Sequence, residues 1–403
     1  MKKKVIYLLF ISMLVFAIFG CSQKTNEKDG TVTITIWHDK EEAVVKVLEE
    51  AFLTLEPDIK VVLEKKSNLT EALKIIGNDK KSAPDMYFFA HDKIGVYAEM
   101  GILAPITSIV EEGELDGFID SILQAATYKG EIYQFPIYYE TLLFMYNRRY
   151  MKEDRIPKTT EELYSYMVEK TKGGHYGFIE QHSTPYYSAG WINGFGGYII
   201  NEERTPGLNI PETIKALSYH KKFADLMPGE SEYATVNTLF KEGKAHSTIG
   251  GPWLIPTIRD AGIDLGIAPM PVIDETNTPI SPYLGVQGMQ VLKYAAKEKK
   301  EEVRKVLNLL KDPEIGISLA KASGCAPANE KAYENQDIVN DEVVMAMKEA
   351  AEYAVPMPNI PELDVMWTVT GNLLTDVNMS GKDVEESANK AQTDAERLIE
   401  NMQ

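Results

Sequence analysis

Cysteine is nearly absent: the chain has two, Cys21 and Cys325. If Cys21 is taken up by other chemistry, no intramolecular disulfide forms and the hydrophobic core alone must hold the fold. Net positive charge is lacking too. The formal charge is −18, which argues against nucleic acid and anionic lipid as partners and names no ligand. Enzyme signatures are missing: there is no GxSxG, HExxH, Walker loop or GxGxxG opening a helix. The histidines His38, His91, His175, His182, His220 and His246 are scattered without metal-ligand spacing, so neither metal nor cofactor is expected. Internal repeats are absent, and low complexity is confined to a polar stretch near the N-terminus.

What is present begins with a processing segment. Lys2, Lys3 and Lys4 precede an apolar run over residues 5–20. That run is shorter than the roughly 20 residues of a spanning helix and has the layout of a signal peptide. It ends in Ile18-Phe19-Gly20-Cys21, which resembles the bacterial lipobox, where cleavage before the Cys frees its sulfur to carry a diacylglycerol. Phe19 departs from the small residue usual at that place. Residues 22–30 (SQKTNEKDG) read as a polar tether. The expectation is a signal peptide over 1–20, a lipidated tether over 21–30, and anchoring on the extracytoplasmic face of the cell membrane. An ordinary secreted protein is the alternative.

The rest is long enough for two domains. A strand is expected at 31–37, where β-branched residues alternate up to Trp37. A helix follows over 41–55, with Val44, Val45, Leu48 and Phe52 at helical spacing and Pro57 as its stop. The pair recurs as strand 59–63 with helix 69–76, then strand 86–90 with helix 93–100, which predicts a parallel sheet with right-handed crossovers. Farther on, Thr159-x-x-Glu162 and Asn209-x-x-Glu212 read as capping-box starts of two helices, the second with Pro211 in its first turn. Short strands are expected at 245–249 and 265–269, and helices at 297–310, 313–321, 341–353 and 384–401. The outcome is two α/β lobes without a clear linker, so the chain crosses between them more than once.

Aromatics stand beside acids where strands end and helices begin. Trp37-His38-Asp39-Lys40, Phe88-Phe89-Ala90-His91-Asp92-Lys93 and Tyr138-Tyr139-Glu140 are three such places; Pro185-Tyr186-Tyr187, Gly251-Pro252-Trp253 and Met366-Trp367 add aromatics. Ligands of open α/β sheets lie beyond the carboxyl ends of strands, so these positions point toward one cleft. A sugar ring offers an apolar CH face that stacks on an aromatic plane, and a rim of hydroxyls that pairs with carboxylates and ammonium groups. Singly, each position is as readily a core aromatic or a solvated acid. Their combination suits an oligosaccharide.

The same stretches resemble the maltose/maltodextrin-binding proteins, the solute receptors of ABC importers. The similarity runs from about residue 31 to the C-terminal helix. It is carried by 84–98 (PDMYFFAHDKIGVYA), 101–107 (GILAPIT), Tyr139-Glu140 with Tyr146-Asn147, 251–253 (GPW) and 357–361 (MPNIP). The resemblance implies a two-lobed periplasmic-binding-protein-like α/β fold with a hinge. One lobe would hold 31–138 plus 289–345, the other 143–283 plus 352–402, with ligand between them. It also implies roles. Asp39 and Lys40 match a pair that contacts sugar hydroxyls, Asp92 and Lys93 match a second such pair, and Glu140 matches a hinge-side carboxylate. Tyr186, Trp253 and Trp367 match stacking aromatics. Phe89 stands where better-known members have Trp and Thr184 where they have a carboxylate, which leaves the preferred oligosaccharide length open. The implied function is a monomeric, lipid-anchored receptor that hands maltose or maltodextrin to an ABC permease and performs no catalysis. Two other readings stand beside it: a receptor for a different oligosaccharide, and a secreted glycosidase using two of Asp39, Asp92 and Glu140 as acid and base. The glycosidase reading lacks an eightfold strand–helix pattern.

Overall fold

The computed structural model describes residues 30–402. The leader, Cys21 and nearly all of the tether lie outside the described residues. Val32–His38 forms the first strand, with Ile34 and Ile36 fully buried. It pairs in parallel with Ile59–Lys65 on one side and Met86–Ala90 on the other. The helix Glu42–Phe52 joins the first two strands and buries Val44, Leu48, Ala51 and Phe52, the stripe its sequence period gives. Leu69–Ile76 joins the next two and buries Leu69 and Leu73.

The sheet these strands start is mixed, not parallel as their alternation with helices predicts. Tyr283–Val291 enters from far along the chain and lies antiparallel between Met86–Ala90 and Gln134–Glu140. The order is Ala326–Pro327, Gln134–Glu140, Tyr283–Val291, Met86–Ala90, Val32–His38, Ile59–Lys65, with Val355–Pro356 joining Tyr283–Val291. Every residue of Tyr283–Val291 is buried. Its sequence therefore shows no alternation, because both faces are dry. Its Gln290 donates to Gln134 Oε1 at 2.9 Å, and Gln134 donates to the Val286 carbonyl at 2.8 Å.

A second, smaller sheet has Leu143–Asn147 at its centre, antiparallel to Ser247–Gly250 and to Leu265–Ala268. Phe144, Phe178, Trp191, Phe223 and Leu373 belong to the core beside it. The two sheets give the two-lobed α/β architecture. Three stretches of chain lie side by side where they meet. Gln134–Glu140 runs through Thr141 and Leu142 directly into Leu143–Asn147, and Thr141 Oγ1 donates to the Tyr283 carbonyl at 2.9 Å. Val355 N donates to the Pro282 carbonyl at 2.9 Å, aligning the third stretch with the second.

Several helix expectations need correction. Asn209 does not cap its helix; it donates to Asn389 Oδ1 at 3.0 Å, and Pro211–Ala224 starts without a side-chain cap, on the fixed φ of Pro211. Thr159 does accept from Glu162 N at 3.3 Å, but the Glu162 carboxylate reaches back one residue further, to Lys158 N at 2.7 Å. The helix expected at 297–310 is broken at Lys299, whose ammonium reaches Asp85 Oδ2 and the Thr33 carbonyl, giving Lys293–Glu298 and Lys300–Leu310. Among the helices not expected are Pro185–Gly194, Tyr233–Lys241 and Leu363–Leu374. Among the described residues, no helix is long and apolar enough to cross a membrane.

The third stretch continues past Met357 and is sewn to the larger lobe at Asn359. Its side chain donates to the Ala125 and Thr127 carbonyls at 3.0 and 2.7 Å, and its own carbonyl accepts from Gly95 N at 3.1 Å. A Cβ on Gly95 would lie 2.1 Å from that carbonyl oxygen. Gly95→Ala should therefore force the seam apart and lower stability by about 1–3 kcal/mol, read by denaturant unfolding. Unfolding curves that superimpose would show that the seam tolerates the displacement.

Candidate functional site

A cavity of about 600 Å³ opens where the two lobes face one another. All nine side chains singled out above as ligand contacts line it: Asp39, Lys40, Phe89, Asp92 and Lys93, then Glu140, and then Tyr186, Trp253 and Trp367. Thr184, the other noted departure, sits at the N-cap of Pro185–Gly194.

The charged wall is built from strand ends. Val32–His38 stops at Asp39 and Lys40, where Lys40 N donates to His38 Nδ1 at 3.1 Å. The Lys40 ammonium pairs with Asp39 Oδ1 at 3.0 Å and lies over the Phe88 and Phe89 rings, 4.9 and 5.4 Å from their centroids. Cation–π attraction thus helps hold a lysine that is nearly dry. Met86–Ala90 runs into the single turn His91–Lys93. His91 is fully buried, and burial lowers its pKa. The neutral ring accepts from Val286 N at Nδ1 (3.0 Å) and donates from Nε2 to the Met357 carbonyl (2.8 Å). It thereby fixes the turn that presents Asp92 and Lys93.

Lys93 pairs with Asp92 Oδ2 at 3.3 Å and with Asp364 Oδ1 at 2.8 Å. Burial works against its charge, but Asp92 and Asp364 outweigh it and hold its pKa above the lysine range. Asp364 lies on Leu363–Leu374 and also pairs with Lys74. Burial pushes its pKa up, yet the two lysines hold it below the usual carboxylate range. Glu140 ends its strand with 8 % of its surface exposed. Burial pushes its carboxyl up to about 7, although Lys40 and a hydrogen bond from Gln287 pull the other way.

The opposite wall is aromatic. Tyr186 comes from the first turn of Pro185–Gly194, edge-on to Tyr187 and tilted 43° against Trp253 at 6.3 Å. Trp253 belongs to the turn Pro252–Leu254 that follows Ser247–Gly250. Gly251 is required there, since a Cβ would lie 2.1 Å from the indole ring. Trp367 sits on Leu363–Leu374, edge-on to Tyr283 at 6.1 Å. Stacking planes therefore share one cavity with carboxylates and ammonium groups, the combination that suits a ring with apolar faces and a hydroxyl rim.

Sequence reasoning missed Gln287, Tyr233 and Met357, which also line the cavity. The one available signal for Gln287 was a polar residue in an otherwise apolar run. Tyr233 follows an acidic loop and carried none. Five of the six histidines are buried, and among the described residues no three metal-ligating side chains converge.

A family model described as bacterial extracellular solute-binding protein matches residues 48–346. The chain is 30% identical to the maltotriose-binding protein of Pyrococcus abyssi over 93% of this chain and 83% of that one. It is 28% identical to the maltodextrin-binding protein MdxE of Bacillus subtilis, covering 96% of each. It is 25% identical to a maltooligosaccharide ABC transporter solute-binding lipoprotein of Streptococcus pneumoniae, over 95% of this chain and 94% of that one. The maltose/maltodextrin-binding domain MalE from Bdellovibrio bacteriovorus, solved with maltotriose, superimposes with a TM-score of 0.83 at 26% identity, over 92% of this chain and all of that one.

The raised Glu140 pKa has a sign that can be tested without ligand. A carboxyl whose folded pKa lies above the ordinary 4.5 contributes stability that is complete below about 4.5 and is lost as pH rises through about 7. Glu140→Gln should remove that loss, so its stability relative to the parent should improve by about 2–3 kcal/mol between pH 4.5 and pH 8. Denaturant unfolding at both pH values measures it; an offset that does not change with pH would mean Glu140 is solvated.

Proposed function

The chain belongs to the bacterial extracellular solute-binding proteins, and from that premise we propose that it is the receptor of an ABC importer for maltose and maltodextrins. The observation that carries the reading is the pairing of two unlike walls across one cavity. Tyr186, Trp253 and Trp367 stack on glucosyl faces, while Asp39, Lys40, Asp92, Lys93 and Glu140 take the hydroxyls. Two relatives named for maltotriose and maltodextrin and a structural neighbour holding maltotriose support the ligand class.

In this reading one lobe comprises 31–138 with 289–345 and the other 143–283 with 352–402. The charged wall comes from the first lobe and the aromatic wall from the second. Sugar favours the closed arrangement because only there do both walls touch it. The carboxylates bind rather than cleave, so the sugar leaves intact, handed to a membrane permease.

Titration of the chain lacking residues 1–21 with maltose, maltotriose, a longer maltodextrin, cellobiose and lactose tests this. The α-1,4-glucans should bind saturably and be recovered whole. Trp253→Ala should weaken them by about 1–3 kcal/mol, or about 5- to 150-fold. Binding of lactose or cellobiose in their place would transfer the receptor to another sugar, and cleaved glucan would make it an enzyme.

The lipobox at Cys21 and the pneumococcal relative named a lipoprotein support a lipid anchor. Cys21→Ser should move the protein from the membrane fraction to the soluble extracytoplasmic fraction. Persistence in the membrane fraction would remove the anchor from the proposal.

A further inference from the structure

We propose that Gln287 is a positioning residue for ligand capture: its carboxamide, wedged between Lys40 and Glu140, keeps ammonium and carboxylate from pairing with each other and holds both aimed at the cavity. The proposal rests on the sugar-receptor reading of the same site.

The geometry begins with the strand. Tyr283–Val291 is buried throughout, so a glutamine in it gains from partners for its carboxamide within the protein. Gln287 does so with charged groups. Its Oε1 accepts from Lys40 Nζ at 2.6 Å, and its Nε2 donates to Glu140 Oε1 at 2.7 Å. An ammonium only donates and an ionised carboxylate only accepts, so the amide has one orientation and cannot flip. The strand is also irregular at this residue. Gln287 pairs with Tyr138 but Gly288 pairs with Pro136, leaving Ile137 as the extra residue of a bulge. Bulges re-aim side chains beside functional sites, and Gln287 faces the cavity.

The consequence for the two charges is spacing. Among the described residues the ion pair of Lys40 is with Asp39, not Glu140. A direct Lys40–Glu140 contact would satisfy both groups and leave little for a ligand. With the amide between them, Lys40 has given one proton to Gln287 and one to Asp39, which leaves a third. Glu140 keeps its second oxygen. One sugar hydroxyl can then donate to the carboxylate while accepting from the ammonium, both through charge-assisted bonds. Leucine here would leave the two charges to collapse on each other, and glutamate would set two carboxylates together.

Glu140 supplies a readout that a merely structural role would not move. The titratable groups facing it are Lys40 and Asp39 from the first strand end, Tyr138 on its own strand, Tyr186 and Tyr187 from the aromatic wall, and Cys325. Burial pushes the phenols and the thiol up, so they stay neutral while Glu140 titrates near 7. The Gln287 N–H favours the ionised form.

The experiment compares the soluble chain with Gln287→Met, near in length and without hydrogen bonds, and with Gln287→Glu. Maltotriose affinity is measured by calorimetry from pH 5 to pH 9, and sugar-free unfolding over the same range. Gln287→Met should weaken binding about 10- to 100-fold and, by letting the Lys40 ammonium close on the carboxylate, shift the Glu140 midpoint downward in both the affinity and the unfolding profiles. Gln287→Glu should bind more weakly at high pH than at low. Unchanged affinity, or weakening with both midpoints unmoved, would overturn the proposal. If the parent binds no glucan, the ligand class fails, and the sugar-free midpoint alone then decides whether the bridge exists.

Discussion

A charged side chain withdrawn from water loses solvation worth several kcal/mol, and near the cavity this loss dictates what stands next to what. Lys40, Lys93 and Glu140 are each more than nine-tenths buried. Lys40 recovers by touching Asp39, the Gln287 amide and two phenylalanine faces. Lys93 does so between two aspartates. Glu140 recovers least, and its proton affinity rises accordingly. The neutral groups follow the same constraint: burial lowers the His91 pKa, and both ring nitrogens have backbone partners. Such a wall is half-solvated by the protein itself.

The elements legible from sequence were those that meet water on one side. Glu42–Phe52 and Leu69–Ile76 keep an exposed face, so their apolar stripes showed at helical spacing. Pro185–Gly194 hides seven of its ten residues, and Leu363–Leu374 is apolar on most of its surface, so neither stripe stood out from its background. Those two helices carry Tyr186 and Trp367. The residues were therefore found through the family resemblance while the elements that hold them were not. Tyr283–Val291 was illegible for the same reason, with two glycines and two glutamines whose partners lie about 150 residues or more away. Sequence spacing cannot show that a polar residue is paired across such a separation.

The seam between the two sheets combines short polar bridges with a core whose buried side chains come from both, Ile137 and Val286 beside Leu143, Ile179 and Ile255 among them. Thr141 on Tyr283, Val355 on Pro282 and Asn359 on two carbonyls each contribute a directed bond. Directed bonds define where the crossing strands lie, and the shared core limits how freely those strands bend.

Asp364 and Trp367 are one helical turn apart on the same helix, and Asp364 is gripped by Lys74 and Lys93. The helix is therefore a rigid arm with a salt contact at one point and an indole at the next. Electrostatics and stacking thus share one scaffold: the lysines that hold the carboxylate also fix the register of a ring that bears no charge, and their shelter from solvent keeps salt from loosening that register.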